Sequence, residues 1–249
     1  MAATDLDLIR PEWPAPACVH AVATTRTGGF STGPYASLNL GMHVGDDGEA
    51  VERNRMLLAD ALNYSAVPRW LEQVHGSDVI CADQCVDGAM ADASITSEPG
   101  IACAIMTADC LPVLFTNRDG THVAAAHGGW RGLVAGVLEN TVEAFAERDV
   151  AAGELMAWLG PAIGPVSYEV DTAVIDTLND SDRVAVSRFD AGYGQLDLYL
   201  LARGRLAAAG VGAVFGGGFC THADERHFFS YRRDGACGRQ ATLIWLEPT

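Results

Sequence analysis

Two imidazoles and one thiol stand where apolar, strand-like runs of the chain give way to turns. They are His75 in Gln73-Val74-His75-Gly76, Cys110 in Thr107-Ala108-Asp109-Cys110-Leu111-Pro112, and His127 in Ala126-His127-Gly128-Gly129-Trp130-Arg131-Gly132. Histidine and cysteine ligate zinc or copper, and they carry acid–base or nucleophilic work near neutral pH. A Cys–His–His set can form a zinc triad whose fourth tetrahedral position is left to water or substrate. The separations, 35 and then 17 residues, match no local zinc-finger pattern. Taken singly, each residue reads equally as a buried thiol or a hydrogen-bonded imidazole.

The neighbouring residues supply the setting. Pro112 turns Leu111 away from helical backbone, which puts Cys110 at or near an extended turn. Gly128-Gly129 after His127 lets backbone approach a ligand closely. Arg131 follows at the expected start of a helix, where orphan N–H groups favour an anion. Arg26, ahead of Gly28-Gly29, is a second candidate for a phosphate or carboxylate. Arg232, Arg233 and Arg239 lie near Phe228-Phe229-Ser230-Tyr231, where an aromatic ring such as Phe229 beside a guanidinium such as Arg232 can stack on a flat base. Asp109 is a candidate acid–base group, or an orienter of a ligating histidine.

Composition narrows the function. The chain has 249 residues and an apolar fraction of 49%, an ordinary globular composition with room for a sizeable core. Its net charge of −16 argues against bulk nucleic-acid binding, which needs a basic face. All 16 basic residues are arginine. A P-loop lysine, a Schiff-base lysine and a lysine general base are therefore excluded. Seven cysteines without a tight framework fit reduced thiols, and Cys81 and Cys85, four apart, read as a structural pair that could share a helix face. No apolar run reaches membrane-spanning length, and the acidic start, Met1 to Asp7, lacks a signal pattern, so a cytoplasmic location is expected. Several signatures are missing: His-x-His of blue multicopper oxidases, the zinc nucleobase-deaminase motif, Gly-x-Ser-x-Gly and His-Glu-x-x-His.

The elements that must position these groups follow from periodicity. Residues 17–25 predict a strand and Arg26 to Tyr35 a Gly-rich loop. Strands are expected over Ile101 to Met106, Leu111 to Phe115, Val123 to Ala126, Leu155 to Leu159 and Ala241 to Leu246. Helices are expected over Glu49 to Leu62, over Gly132 to Arg148, and over Leu198 to Ala209 with Gly210 as its cap. Strands and helices alternate irregularly, which predicts an α/β (α+β) fold of mixed sheets with helices outside. With no repeat or linker, residues 1–249 read as one domain.

In order along the chain, Thr25-Arg26-Thr27-Gly28-Gly29-Phe30-Ser31, Ser37-Leu38-Asn39-Leu40-Gly41, His43-Val44-Gly45-Asp46-Asp47 with Asn54-Arg55, and Gln73-Val74-His75-Gly76 resemble the phrases of the YfiH/DUF152 family. So do Thr107 to Phe115, His127 to Gly132, Leu159 to Gly164 and Phe229 to Arg233, and the resemblance runs from Cys18 to Leu246. That family is variously called multicopper polyphenol oxidoreductase (laccase), purine nucleoside phosphorylase and peptidoglycan editing factor. The resemblance implies a single domain of layered mixed β-sheets flanked by helices, similar to the fold of a group of proteins described as Cys–His hydrolases. It implies metal ligands at His75, Cys110 and His127, usually holding zinc, with copper as the other metal such a site accepts. It also implies phosphorolysis of adenosine, inosine, guanosine and methylthioadenosine, with adenosine deamination in some members. Arg26, Asn39, Arg131, Phe229 and Arg232 are then the candidate contacts to nucleoside and phosphate. A monomer or small homo-oligomer is expected, with neither nucleic acid nor membrane as partner. A Cys–His amide hydrolase acting on a peptidoglycan precursor is the alternative, and copper-dependent phenol oxidation ranks below it. The chain departs from the family pattern at Asp171, where relatives often carry Gly, and at Ala202-Arg203-Gly204-Arg205-Leu206, where they carry an Asn-Arg-x-Gln-Leu phrase.

Overall fold

A computed structural model describes residues 6–63 and 66–247; the first five residues of the acidic start lie outside them. Two large sheets face each other. The five-stranded sheet runs, in spatial order, Leu8–Ile9, Val19–Thr24, Gln240–Leu246, Ile101–Thr107 and Val67–Arg69. The six-stranded sheet runs Ala213–Gly216, Leu155–Leu159, Leu111–Asn117, Val123–Gly128, Ala93–Thr96 and Val79–Cys81. Both are antiparallel at their centres, and each parallel pair lies at an edge.

The central strands are largely apolar because both of their faces are covered. In Gln240–Leu246, Ile244 and Leu246 enter the cluster between the sheets with Cys103, Ile105, Leu114 and Val123. The alternate residues Ala241, Leu243 and Trp245 meet Leu58 and Leu62 on the opposite side, under the helix Gly48–Ala61. The outer face of the six-stranded sheet presents Leu111, Val113 and Phe115 to Leu138, Phe145 and Leu206, which belong to the helices Val137–Ala146 and Leu198–Ala208. The layers therefore run helix, sheet, sheet, helix. Each fully buried Leu, Ile or Phe in them contributes about 1.5–3 kcal/mol of transfer free energy. Among the described residues no helix is long and apolar enough to cross a membrane.

The strands expected from sequence form within two residues of their predicted limits. The helix expected over Gly132 to Arg148 does not run unbroken. It divides into Trp130–Ala135 and Val137–Ala146, because Gly136 adopts φ 94°, a left-handed conformation that ends the first segment and re-aims the second. Gly210, at φ 82°, does close Leu198–Ala208, with the Val211 N–H donating to the Leu206 carbonyl. Cys81 and Cys85 share no helix: Cys81 ends a strand and accepts a bond from Arg148 Nη2, while Cys85 lies in the turn beyond. A small three-stranded sheet, Glu169–Asp171, Tyr193–Leu196 and Val186–Asp190, escapes the periodicity reading because its strands are short and mostly exposed.

Both departures from the family pattern do structural work here. Asp171 caps a helical turn by accepting from the Val174 N–H. Arg203 donates to the Val214 and Gly216 carbonyls, and Arg205 pairs with Glu139 and Asp182.

Candidate metal centre

Cys110 sits where the chain passes from one large sheet to the other. Ile101–Thr107 ends in the five-stranded sheet, three residues turn, and Leu111–Asn117 begins in the six-stranded sheet. The turn includes Asp109 at φ 95°, an uncommon conformation for a residue with a side chain. The Ile163 N–H holds the Asp109 carbonyl in place, at 2.9 Å. His127 is brought alongside by strand register, since it pairs with Pro112 across the antiparallel ladder. His75 arrives on the loop between Leu71–Glu72 and Val79–Cys81, itself in the left-handed region at φ 61°. Two residues in strained backbone at one point are the kind of local cost that tertiary contacts must hold.

Here the contacts come from Asp92. This carboxylate is fully buried and accepts the backbone N–H groups of Val74, His75 and Gly76 at 3.2, 2.9 and 2.6 Å. Its Oδ1 also bonds His127 Nδ1 at 2.8 Å, and its carbonyl accepts the His127 N–H at 2.7 Å. One side chain thus fixes the His75 loop and the ring of His127, leaving His127 Nε2 as the atom free to ligate. Sequence reasoning offered Asp109 as an acid–base group or an orienter and missed Asp92. The available signal was a lone carboxylate within the small-residue run Ala89-Met90-Ala91-Asp92-Ala93-Ser94-Ile95. Asp109 points elsewhere, its Oδ1 accepting from Thr221 Oγ1 at 2.6 Å and its Oδ2 from the Arg232 N–H at 2.7 Å.

The three ligand atoms lie within 4.8 Å of one another. The Cys110 Sγ to His75 Nε2 separation is 3.8 Å, close to the roughly 3.5 Å that a tetrahedral zinc with ordinary Zn–S and Zn–N bonds imposes. One thiolate and two imidazoles suit zinc, and they accept copper as well. Gly129 completes the fit. A Cβ there would lie 3.1 Å from Cys110 Sγ and 2.9 Å from His75 Cδ2. The Gly129 backbone, at φ −65° and ψ 153°, is open to any residue, so the glycine is required by contact and not by conformation. Gly129→Ala is expected to lower metal affinity about tenfold or more, as a displaced ligand would, while the metal-free protein melts within a few degrees of the parent. Metal content after dialysis and a melting curve of the stripped protein check this.

Electrostatics poise the pair for metal. Burial works against charge on Cys110, but the charge and hydrogen bond of His127, joined by His75, bring the thiol down to about 6. Burial likewise opposes a charged His127, yet the Cys110 thiolate and the Asp92 carboxylate push it up to about 9. Burial also opposes ionised Asp92, and the bonds from His127, Gly76 and His75 outweigh it, holding the carboxyl below its usual range. Between these limits the metal-free pair is thiolate and imidazolium, and a metal ion must displace the His127 proton. Protons compete with metal, so affinity rises with pH: this pair releases one proton per ion between about 6 and 9, and two below about 6, where Cys110 is also protonated. Zinc titrations in buffers of different ionisation enthalpy would show that step in slope.

The other residues singled out from sequence divide into two groups. Arg131 and Arg232 lie on segments bound to the centre. Arg26, Asn39 and Phe229 are engaged within the fold. Arg26 donates through Nε to the Ala36 carbonyl and through Nη1 to Glu225, and its guanidinium packs 4.7 Å from the Phe229 ring centroid. It lines a cavity of about 510 Å³ with Arg226 and Arg233, whose charge Glu225 and Asp234 offset. Phe229 is fully buried. Asn39, also fully buried, donates to Asp46 and the Gly41 carbonyl and accepts from the Gly41 and Arg239 N–H groups. Its amide is thereby filled by the chain itself.

Residues 20–247 match the family model described as multi-copper polyphenol oxidoreductase laccase. The chain is 53% identical over 243 residues to a purine nucleoside phosphorylase of Pseudomonas aeruginosa, covering 96% of this chain and 98% of that protein. It is 52% identical over 242 residues to the purine nucleoside phosphorylase YfiH of Escherichia coli, with the same coverage of each. A crystal structure of a Neisseria meningitidis DUF152 protein superposes with a TM-score of 0.92 at 48% identity, over 97% of this chain and 100% of that one. YlmD from Geobacillus stearothermophilus superposes at 0.90 with 35% identity, over 97% and 96%.

Proposed function

The chain belongs to the YfiH/DUF152 family, and on that footing we propose that it is a zinc-dependent purine nucleoside phosphorylase built as one domain. The observation that supports this reading is the convergence of His75 Nε2, Cys110 Sγ and a His127 ring nitrogen from three segments, oriented by one buried carboxylate. The names of its close relatives supply the reaction class. Adenosine, inosine, guanosine and methylthioadenosine are the proposed substrates, and the place of work is the cytoplasm.

A bound zinc supplies Lewis-acid charge or a water of pKa about 7 at the centre. The chain's residues do the rest. Asp92 holds the proton of His127 on Nδ1, so Nε2 faces the centre. Cys110 remains a thiolate at neutral pH. The buried Gly128-Gly129 backbone closes one side of the site without a side chain. Asp109, through Thr221 and the Arg232 N–H, ties the segment carrying Arg232 to the turn that carries Cys110.

The phenol-oxidase description calls for several coppers. Among the described residues a single group of His, Cys, Asp or Glu has the spacing of a metal site. Phenol oxidation then belongs to copper entering that one site, where copper binds more tightly than zinc.

Incubating zinc-loaded protein with inosine or adenosine, with and without phosphate, tests the proposal by chromatography. Phosphate-dependent release of free base and ribose 1-phosphate is expected, lost on chelation and restored by zinc. Inosine formed from adenosine in the same runs would report deamination. No release with either nucleoside, with metal content verified, overturns the phosphorylase reading.

A further inference from the structure

Arg131 hangs from the segment that touches Cys110 and Arg232 from the segment bonded to Asp109 beside it, and an aromatic residue that sequence reasoning passed over stands with them. Arg131 lies two residues beyond Gly129, whose backbone abuts Cys110 Sγ, and its guanidinium rests 4.5 Å from the Trp130 ring centroid. Arg232 is anchored from the other side. Its N–H donates to Asp109 Oδ2 at 2.7 Å, one residue before Cys110, and its Nη1 donates to the Glu169 carbonyl at 2.7 Å. Its guanidinium carbon lies 5.0 Å from the ring centroid of Tyr168.

Tyr168 stands within the electrostatic reach of Cys110, Asp109, Arg131 and Arg232 together. Burial first, and then the Cys110 thiolate, raises its phenol above the ordinary tyrosine range, so the hydroxyl is a neutral hydrogen-bond donor at working pH. Among the described residues the Arg131 guanidinium donates to no protein acceptor, and that of Arg232 commits one bond, to Glu169. The two arginines that line the cavity near Phe229 and carry hydrogen bonds are engaged within the fold. Arg26 serves two carbonyls, and Arg233 serves Thr221, His222, Phe228 and Asp234. A chain of net charge −16 repels a dianion at long range, so an oxyanion must be held by local cations with donors to spare.

We propose that Arg131, Tyr168 and Arg232 form an oxyanion site beside the metal centre, and that its occupant is the phosphate co-substrate. The assignment of the occupant rests on the phosphorylase reading, and it moves phosphate away from Arg26. In the reaction a phosphate oxygen bonds the ribose C1′ as the bond from C1′ to the base nitrogen breaks. The electron pair leaves on the base, and the proton of hydrogen phosphate ends on it, so no further reactant is required.

The test uses the full-length zinc-loaded protein and varies phosphate at saturating inosine. Arg131→Ala and Arg232→Ala are each expected to raise the phosphate KM about 10- to 100-fold, the loss of a charge-assisted hydrogen bond, with the inosine KM nearly unchanged. Tyr168→Phe, which keeps the ring, should raise the phosphate KM several-fold. Arg131→Lys and Arg232→Lys should restore part of the loss, and Arg118→Ala, on an exposed turn, should change nothing. A phosphate KM unmoved in both alanine variants overturns the site while leaving the phosphorylase reading intact. A second readout needs no turnover: broadening of the ³¹P resonance of inorganic phosphate by zinc-loaded and by stripped protein. If the parent releases no base, the phosphorylase reading fails. Phosphate binding that vanishes in the two arginine variants would then still support the oxyanion site, and absence of phosphate binding to the parent would overturn it.

Discussion

Cys110→Ala is expected to lose zinc and phosphorolysis together. The thiolate is one of three protein ligands, and it is the charge that most strongly raises the pKa of His127. Structural zinc binding of about 10–16 kcal/mol, shared over four ligands, puts the loss at roughly 10²–10³-fold in affinity. Excess zinc should not restore turnover, because two imidazoles without the thiolate leave the ion in a different coordination. The same variant separates the alternative reaction class. An amide hydrolase with Cys110 as nucleophile and His127 as base would also be inactivated, but its parent protein would behave differently. A free thiolate with a pKa of about 6 alkylates quickly, whereas a zinc-bound thiolate is shielded. Protection of Cys110 from iodoacetamide by zinc, with rapid labelling after chelation, is the result expected of the phosphorylase. Rapid labelling of active, metal-free protein would instead favour the hydrolase. Metal analysis, the chromatographic assay and mass spectrometry of the labelled peptide read the three quantities.

What was legible in the sequence follows from how far the physics of a segment is local. Long apolar runs such as Ile101–Thr107 and Gln240–Leu246 declare themselves because both faces are buried, and the amphipathic helices show their spacing. Ala93–Thr96, Val79–Cys81 and Ala213–Gly216 were missed, since strands of three or four residues carry too few positions to show a period. The break at Gly136 was also missed, because the stripe from Leu133 through Val137 and Leu138 to Val142 continues across it and both segments pack on the same core. The candidate ligands were visible because His and Cys at strand ends are conspicuous. Their support was not. Asp92 is 17 residues from His75 and 35 from His127, and only the meeting of strand Ala93–Thr96 with strand Val123–Gly128 makes it their common partner. The same holds for Tyr168, which follows a Gly-Pro turn and comes near Cys110 only through the fold. Arg26 is the opposite case, conspicuous in sequence and partly engaged by the fold. A guanidinium beside two glycines looks like an anion cradle, but here its donors close a loop onto Ala36 and Glu225.

Asp92→Asn should be the most damaging conservative substitution outside the ligands themselves. The carboxylate accepts four donors, three from the backbone at Val74, His75 and Gly76 and one from His127 Nδ1. An asparagine of the same shape offers one oxygen and one NH₂, so at least one donor is left facing another donor in a fully buried position. That conflict costs about 1–3 kcal/mol, and it loosens two ligands at once. His75 is held at φ 61° by these same bonds, and relaxing the loop would let it leave the left-handed region and turn its ring away from Cys110. His127 loses the negative charge that favours its Nδ1–H tautomer and strengthens Nε2 as a ligand. Metal affinity is expected to fall about 10- to 100-fold, the usual effect of losing an outer partner of a ligating histidine. Unlike Cys110→Ala, the Asp92→Asn protein keeps all three ligands, so saturating zinc should recover most of its turnover. A purely structural role would lower the melting temperature without shifting the zinc concentration needed for half-maximal activity. A parent-like zinc requirement in Asp92→Asn would therefore remove Asp92 from the metal centre. A requirement raised by one to two decades with a near-parent maximal rate would mark it as the residue that positions both histidines.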